Sequence, residues 1–227
     1  MDTAQEASDY DAMDHTDVNA RFCSDLLTLG PPGRVLDVGT GTALIPIELC
    51  RRAPGVDVHA IDMASSMLAI ARRNVARAEL GARIHIESGD AKSTRWADRT
   101  FDTVISNSLI HHMPDPGRVL REMRRLVGPG GMLFVRDLVR PESAERVRDL
   151  VERYAPIQPS TNPFVDAMHA RQAGLFEASL HAALTVDEVV ALAAPLGIPS
   201  EAVRQTSDRH WTLSGRALPS LGVQEGT

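Results

Sequence analysis

The stretch VLDVGTGTALIPIEL, residues 35–49, has the residue types and spacing best suited to chemistry in this sequence. An apolar run carries Asp37, then Gly39 and Gly41 follow, and a helical pattern begins at once. Glycine tolerates positive φ and lets a ligand approach the main chain. A helix that starts at such a turn offers unpaired N–H groups and the positive end of its dipole, which suits an anionic ligand group. A dinucleotide-binding turn of the form G-x-G-x-x-G would need a third glycine where Leu44 stands. Asp37 also sets a carboxylate where a pyrophosphate would lie, so the ligand should carry a positive group as well, such as an ammonium. A nicotinamide-dependent dehydrogenase is the least favoured reading. The bland alternative for Gly39 and Gly41 is a tight turn with no ligand.

Other candidates follow further along. His111 and His112 come just after an apolar run, FDTVIS, at the edge of a sheet where ligands bind, and an imidazole there would serve as a general base. The competing reading is a histidine that packs inward. Tyr10 and His15 lie in an N-terminal segment able to fold over a site and touch a substrate; a solvated acidic arm is the alternative. Asp137 and Asn107 stand on separate strand ends, too few for a metal shell, so no metal is expected. His169, His181, His210 and Trp211 are read as structural.

These residues need a frame, and residues 33–137 supply one by alternating short apolar runs with helical periodicity, the pattern of βαβ units around a parallel sheet. Strands are expected near 34–38, 57–61, 83–87, 101–106 and 131–136, with helices at about 42–52, 65–80 and 116–127. Asp115 followed by Pro116 reads as an N-cap and first helical position, and the Gly128-Pro129-Gly130-Gly131 run as the turn into the fifth strand. Beyond Pro141 the pattern turns helical at roughly 142–154 and 164–180, around the irregular APIQPSTNPF. Thr185 and Glu188 form a capping-box pair for a helix at about 186–194, and VRQTSDRHWTLSG reads as a closing antiparallel hairpin.

With the elements in place, VLDVGTG resembles motif I of the class I S-adenosylmethionine-dependent methyltransferases. VHAIDMASSML resembles their second motif, which implies that Asp62 binds the ribose hydroxyls and Met63 packs on adenine. IHIESGDAKS resembles the segment after the third strand, which implies Asp90 for the adenine amino group with the Ala91 N–H beside the ring. FDTVISNSLIHHMPDP resembles the fourth motif, where the backbone around Asn107 and Ser108 borders the methionine part, and GPGGMLFVRDL resembles the glycine turn and fifth strand. The resemblance spans about half the chain, residues 33 to 140, and looks nearest to the ubiquinone-type small-molecule branch. It implies a Rossmann-like, doubly wound α/β fold with a mostly parallel sheet of about seven strands, an antiparallel C-terminal hairpin and a helical cap. Asp37, Gly39, Gly41, Asp62, Met63, Asp90, Ala91 and Asn107 then form the cofactor set. The cofactor is S-adenosylmethionine and the product S-adenosylhomocysteine. The implied activity is methyl transfer to a small-molecule acceptor; a nucleic-acid or protein methyltransferase, and a cofactor-binding protein that transfers no methyl, remain the alternatives. Asp62 and Asp90 also admit the plainer reading of strand-end caps.

Composition bounds these readings. Hydrophobic residues at 43% and charged residues at 24% are those of a folding globular chain. The net charge of −6 is concentrated in residues 1–20, where Asp2, Glu6, Asp9, Asp11, Asp14 and Asp17 meet no Lys or Arg. No dense basic block is present to neutralise phosphates, so no nucleic-acid partner is expected. Cys23 and Cys50 form no metal-spaced cluster, no apolar run approaches a membrane span, and the acidic N-terminus is unlike a signal peptide, so a cytoplasmic protein with no membrane partner is expected. The expected organisation is an N-terminal cap or arm at 1–30, a cofactor-binding core at 31–140, a helical substrate-cap insertion at 141–184, a helix and hairpin completing the sheet at 185–215, and a flexible tail at 216–227.

Overall fold

A computed structural model describes residues 3–13, 15–157 and 161–216. The chain opens with α1 (Ala4–Asp11) and α2 (Thr16–Thr28), so the segment read as an arm is two helices. Local chemistry explains α1: the Thr3 hydroxyl accepts from the Glu6 N–H while the Glu6 carboxylate accepts from the Thr3 N–H, a capping box. In α2, Phe22, Cys23 and Leu26 recur at helical spacing and are buried. The core then runs β1 (Arg34–Val38), α3 (Leu44–Arg52), β2 (Asp57–Asp62), α4 (Ser65–Arg77), β3 (Ile84–Ser88), β4 (Phe101–Asn107), a 3-10 turn Ile110–His112, α5 (Pro116–Leu126) and β5 (Val127–Leu138). After it come α6 (Ala144–Tyr154), α7 (Pro163–Ala182), α8 (Val186–Ala193), β6 (Val203–Gln205) and β7 (His210–Arg216). The tail expected to fray lies, from residue 217 onward, outside the described residues.

The strands form one seven-stranded sheet in the order β3-β2-β1-β4-β5-β7-β6. All pairs are parallel except those of β7, which runs antiparallel to both β5 and β6. From β1 the chain winds outward to β2 and β3, then returns to the other flank of β1 as β4. That reversal opens a crevice at the carboxyl ends of β1 and β4, the place where open α/β sheets bind ligands.

One boundary differs from the sequence expectation. The Gly128–Gly131 run is inside β5: Phe101 pairs with Val127, the register then shifts, and pairing resumes at Thr103 and Met132. The run is a bulge, and Gly131 is required there because a Cβ would stand 2.7 Å from the Asp102 carbonyl oxygen.

Side-chain alternation divides the core between the two sheet faces. On one face Leu36, Val104, Leu133 and Val135 pack with Leu120 and Met123 of α5, Val189 of α8 and Trp211 of β7. On the other, Val35, Val58, Ile105 and Phe134 pack with Phe22 and Leu26 of α2, Leu49 of α3 and Val75 of α4. Each fully buried side chain of this size contributes roughly 1.5–3 kcal/mol, and these layers fix the strand ends from which the site is built. Among the described residues no helix is long and apolar enough to cross a membrane.

Candidate active site at the carboxyl edge of the sheet

The turn after β1 is held in an uncommon backbone shape, with Gly39 at φ 75°, Gly41 at φ 55° and the non-glycine Ala43 at φ 63°. A non-glycine residue in this region costs on the order of 1 kcal/mol and persists only where its surroundings enforce it. Enforcement comes from β2: the Gly39 and Thr40 N–H groups both donate to the Ile61 carbonyl at 2.9 Å. The Gly41 N–H donates to Asp62 Oδ2 at 2.9 Å, and the Ala64 N–H donates to Asp62 Oδ1 at 2.9 Å. These three turn amides are therefore engaged within the protein. What remains open to a ligand is the amino end of α3, which no side chain caps.

Asp62 thus ties both loops together, and each of its oxygens keeps a lone pair for a further donor. Asp37, 2% exposed, lies in the strand beneath. Burial pushes its carboxyl up to about 7, the nearby Thr40 hydroxyl pulls it back in part, and the charge of Asp62 raises it again. A buried acid in this state gains most from a cation placed against it. Asp90, just past β3, accepts from the Lys92 N–H at 2.9 Å and pairs with Lys92 Nζ at 2.9 Å, which holds its carboxyl below the usual range. Ala91 beside it is buried, while Met63 is 64% exposed with its thioether free to cover a ring. Asn107 ends β4, and its Oδ1 is buried with no hydrogen-bond partner. Ser108, at φ 57°, then turns the chain so that Leu109 lies over Gly39, where a Cβ would come within 2.8 Å of the Leu109 methyl.

The N-terminal helices reach this edge. The Tyr10 ring comes within 3.9 Å of where a Gly41 Cβ would stand, so α1 sits directly over the turn. Enclosure first, then the charges of Asp37, Asp62 and Asp11, push the Tyr10 phenol up to about 12. His15 Nε2 lies 3.0 Å from the Tyr10 carbonyl, with the two rings 4.5 Å apart. Asn74 of α4 donates to Asp11 Oδ1 and to the Thr42 carbonyl, and Ala7 packs with Met67 and Ile70. From the other side, α7 clasps α1 through Arg171 Nε to Asp9 Oδ2 at 2.8 Å and Gln172 Nε2 to the Asp9 carbonyl at 2.9 Å.

The two histidines are not equivalent. His111 is buried with its Nδ1 2.5 Å from Asp137 Oδ1. His112 is exposed and stacks its ring 3.9 Å from that of His111; partial desolvation and the neighbouring imidazole hold its pKa below the usual value. Sequence reasoning weighed Asp137 only as half of a metal pair and missed its contact with His111. The available signal was an acid at the carboxyl end of a strand whose preceding run, Met132 to Val135, is apolar. Among the described residues no group of three or more His, Cys, Asp or Glu is placed to hold a metal ion.

Comparison with known proteins agrees with this geometry. Residues 35–131 match the family described as Methyltransferase domain. The chain is 30% identical over 122 residues to the ubiquinone/menaquinone biosynthesis C-methyltransferase UbiE of Geotalea daltonii, covering 53% of this chain and 52% of that protein. It is 38% identical over 112 residues to the demethylmenaquinone methyltransferase of Deinococcus radiodurans, covering 49% of this chain and 46% of that protein. The chain spans about half the length of the curated relatives it matches. A crystal structure of a SAM dependent methyltransferase from Aquifex aeolicus superposes with a TM-score of 0.66 at 17% identity, covering 95% of this chain and 98% of that one, so the shared fold extends beyond the shared sequence. Residues 35–131 are therefore similar in sequence to a methyltransferase domain, and the quinone-methylating UbiE and demethylmenaquinone methyltransferases are among the proteins this chain resembles.

Proposed function

We propose that this protein transfers a methyl group from S-adenosylmethionine to a small-molecule acceptor by in-line displacement. The observation that carries the reading is Asp62, whose carboxylate holds the Gly41 and Ala64 loops at 2.9 Å each while keeping lone pairs for two ribose hydroxyls. Asp37 is desolvated and raised to about 7, ready for the ammonium of the methionyl end, and the unpartnered Asn107 Oδ1 lies at the same carboxyl edge. These features fit the cofactor. In that assignment Gly39 and Gly41 border the methionyl and ribose parts, Asp90 accepts from the adenine amino group, and Met63 and Ala91 flank the ring. When bound, S-adenosylmethionine supplies an electrophilic methyl carbon on a positively charged sulfur. The chain's own tasks are then to align the acceptor behind that carbon and to exclude water, for which α1 and α7, clasped over the edge, are placed.

The acidic charge and the lack of a dense basic block support a small molecule over a nucleic acid. Two buried free cysteines, together with the absence among the described residues of a helix able to cross a membrane, support a cytoplasmic setting. The test is calorimetric titration with S-adenosylhomocysteine. Wild type should bind, and Asp62→Ala should bind at least about 10-fold more weakly, because hydrogen bonds to a charged group contribute roughly 1.5–3 kcal/mol each. Equal affinity would refute the assignment. Product analysis separates the rival of cofactor binding without methyl transfer: S-adenosylhomocysteine must accumulate with a methylated acceptor.

A further inference from the structure

We infer that His111 Nε2 receives a proton from the acceptor during methyl transfer, with Asp137 as its positioning residue, so that the acceptor class is a neutral hydroxyl or a comparably acidic group. This rests on the methyltransferase reading and names its substrate class.

The argument begins with Asp137, which is fully buried near the carboxyl end of β5. Four N–H groups converge on it. Oδ2 accepts from the Ile110 N–H at 2.5 Å and the His111 N–H at 3.3 Å. Oδ1 accepts from the Leu138 N–H at 2.6 Å and lies 2.5 Å from His111 Nδ1. A carboxylate among donors can only accept, so the Nδ1 atom carries the hydrogen, and the lone pair of the imidazole in its neutral form is on Nε2. The backbone contacts from Ile110 and His111 lock the 3-10 turn to the same carboxylate, so ring position and tautomer are set together.

Nε2 itself is buried and has no hydrogen-bond partner. Leaving a buried acceptor unmet costs about 1–3 kcal/mol, and a native fold carries such an atom where something else meets it in use. Helix α7 packs against the 3-10 turn and, through Arg171 and Gln172, is clasped to α1 over the cofactor edge. The turn that carries the orphan atom is therefore packed against the same helix that is clasped to α1. His112 does not compete: it is exposed, and its depressed pKa keeps a second cation away from Nε2.

The chemistry balances. As a lone pair on the acceptor oxygen forms the new O–C bond, the C–S pair returns to sulfur, and the O–H proton passes to Nε2 to give an imidazolium paired with Asp137. An unprotonated amine or a thiolate has no proton to lose at that moment, and a base oriented in this way would be idle.

The first test needs no turnover. Nitrogen-15 NMR of the cofactor-free wild type at neutral pH should show His111 as the neutral Nδ1–H tautomer with a strongly downfield Nδ1 proton; an Nε2–H tautomer or an imidazolium overturns the proposal. The second uses His111→Gln and Asp137→Asn with a panel of phenols and a panel of primary amines. Phenols should be methylated, with kcat falling about 10²- to 10⁴-fold in His111→Gln while S-adenosylhomocysteine affinity holds, and the acidic limb of the pH profile, where the base would be protonated, should disappear. Methylation confined to amines, or an unchanged pH profile in His111→Gln, sinks the base. Should Asp137→Asn fail to fold, the wild-type tautomer and His111→Gln still decide. Absence of S-adenosylhomocysteine binding would overturn the methyltransferase reading itself, whereas binding with the wrong tautomer overturns the dyad alone.

Discussion

Asp37 shows how one buried side chain links ligand choice to stability. Its folded-state carboxyl, at about 7, stands above the ordinary aspartate value of about 3.9. The folded protein thus holds a proton that the unfolded chain releases, so the cofactor-free protein loses stability as pH rises from about 4 to about 7 and is level beyond. Asp37→Asn removes the titrating group. Urea midpoints should therefore fall from pH 5 to pH 7.5 in wild type and stay nearly flat in the variant, which should be the more stable protein at pH 8. Affinity should move the opposite way: Asp37→Asn loses the partner of the ammonium and binds S-adenosylhomocysteine at least about 10-fold more weakly, the ratio that corresponds to about 1.4 kcal/mol. In wild type below pH 7, binding should release a proton, read from calorimetry in buffers of different ionisation enthalpy. A variant that loses stability at pH 8, or binding with no proton release, would contradict the buried-acid account.

At the scale of elements, the clasp between α1 and α7 holds α1 over the turn that follows β1. Asp9 is 5% exposed and accepts from Arg171, whose own side chain is nearly half exposed. The ion pair itself is screened on that side, so its expected role is to hold α1 down rather than to stabilise the fold. Arg171→Ala should speed hydrogen exchange at the α1 amides and raise the dissociation rate of S-adenosylhomocysteine several-fold, with little change in the thermal midpoint. Unchanged exchange in α1 would show that Ala7, Met67 and Ile70 hold the helix unaided. This clasp was not legible in the sequence. Helix α1 is short and acidic, with few apolar residues to mark a buried face, and Asp9 and Arg171 are 162 residues apart. The five parallel strands were legible because fully buried strands read as apolar runs between turn signals. The start of β5 was misplaced because a bulge built from Gly128, Pro129, Gly130 and Gly131 has the same composition as a turn. Of the candidate site residues, Asp37 stood out as an acid inside an apolar strand, whereas Asp62 and Asp90 were singled out by the resemblance of their segments to methyltransferase motifs. The partnership of His111 with Asp137 was not, since nothing local in sequence relates residues that meet across β4 and β5.

At the scale of the whole molecule, the sheet changes from parallel to antiparallel at β7, and the site depends on that change. Asp137 and Trp211 are directly paired across β5 and β7. Trp211 is fully buried among Leu120, Val189 and Leu213, and its Nε1 has no hydrogen-bond partner. The indole therefore acts through volume and not through its polar atom. Trp211→Ala should cost about 3–5 kcal/mol, the range for deleting a buried aromatic. Trp211→Phe keeps much of the volume and relieves an unmet donor, so it should cost well under half as much. Because Asp137 is the register partner, the alanine variant should also broaden or shift the His111 Nδ1 proton resonance while S-adenosylhomocysteine binds normally in whatever fraction stays folded. Equal denaturation midpoints for the two variants would mean that the indole N–H, and not the packing around β7, holds this end of the sheet.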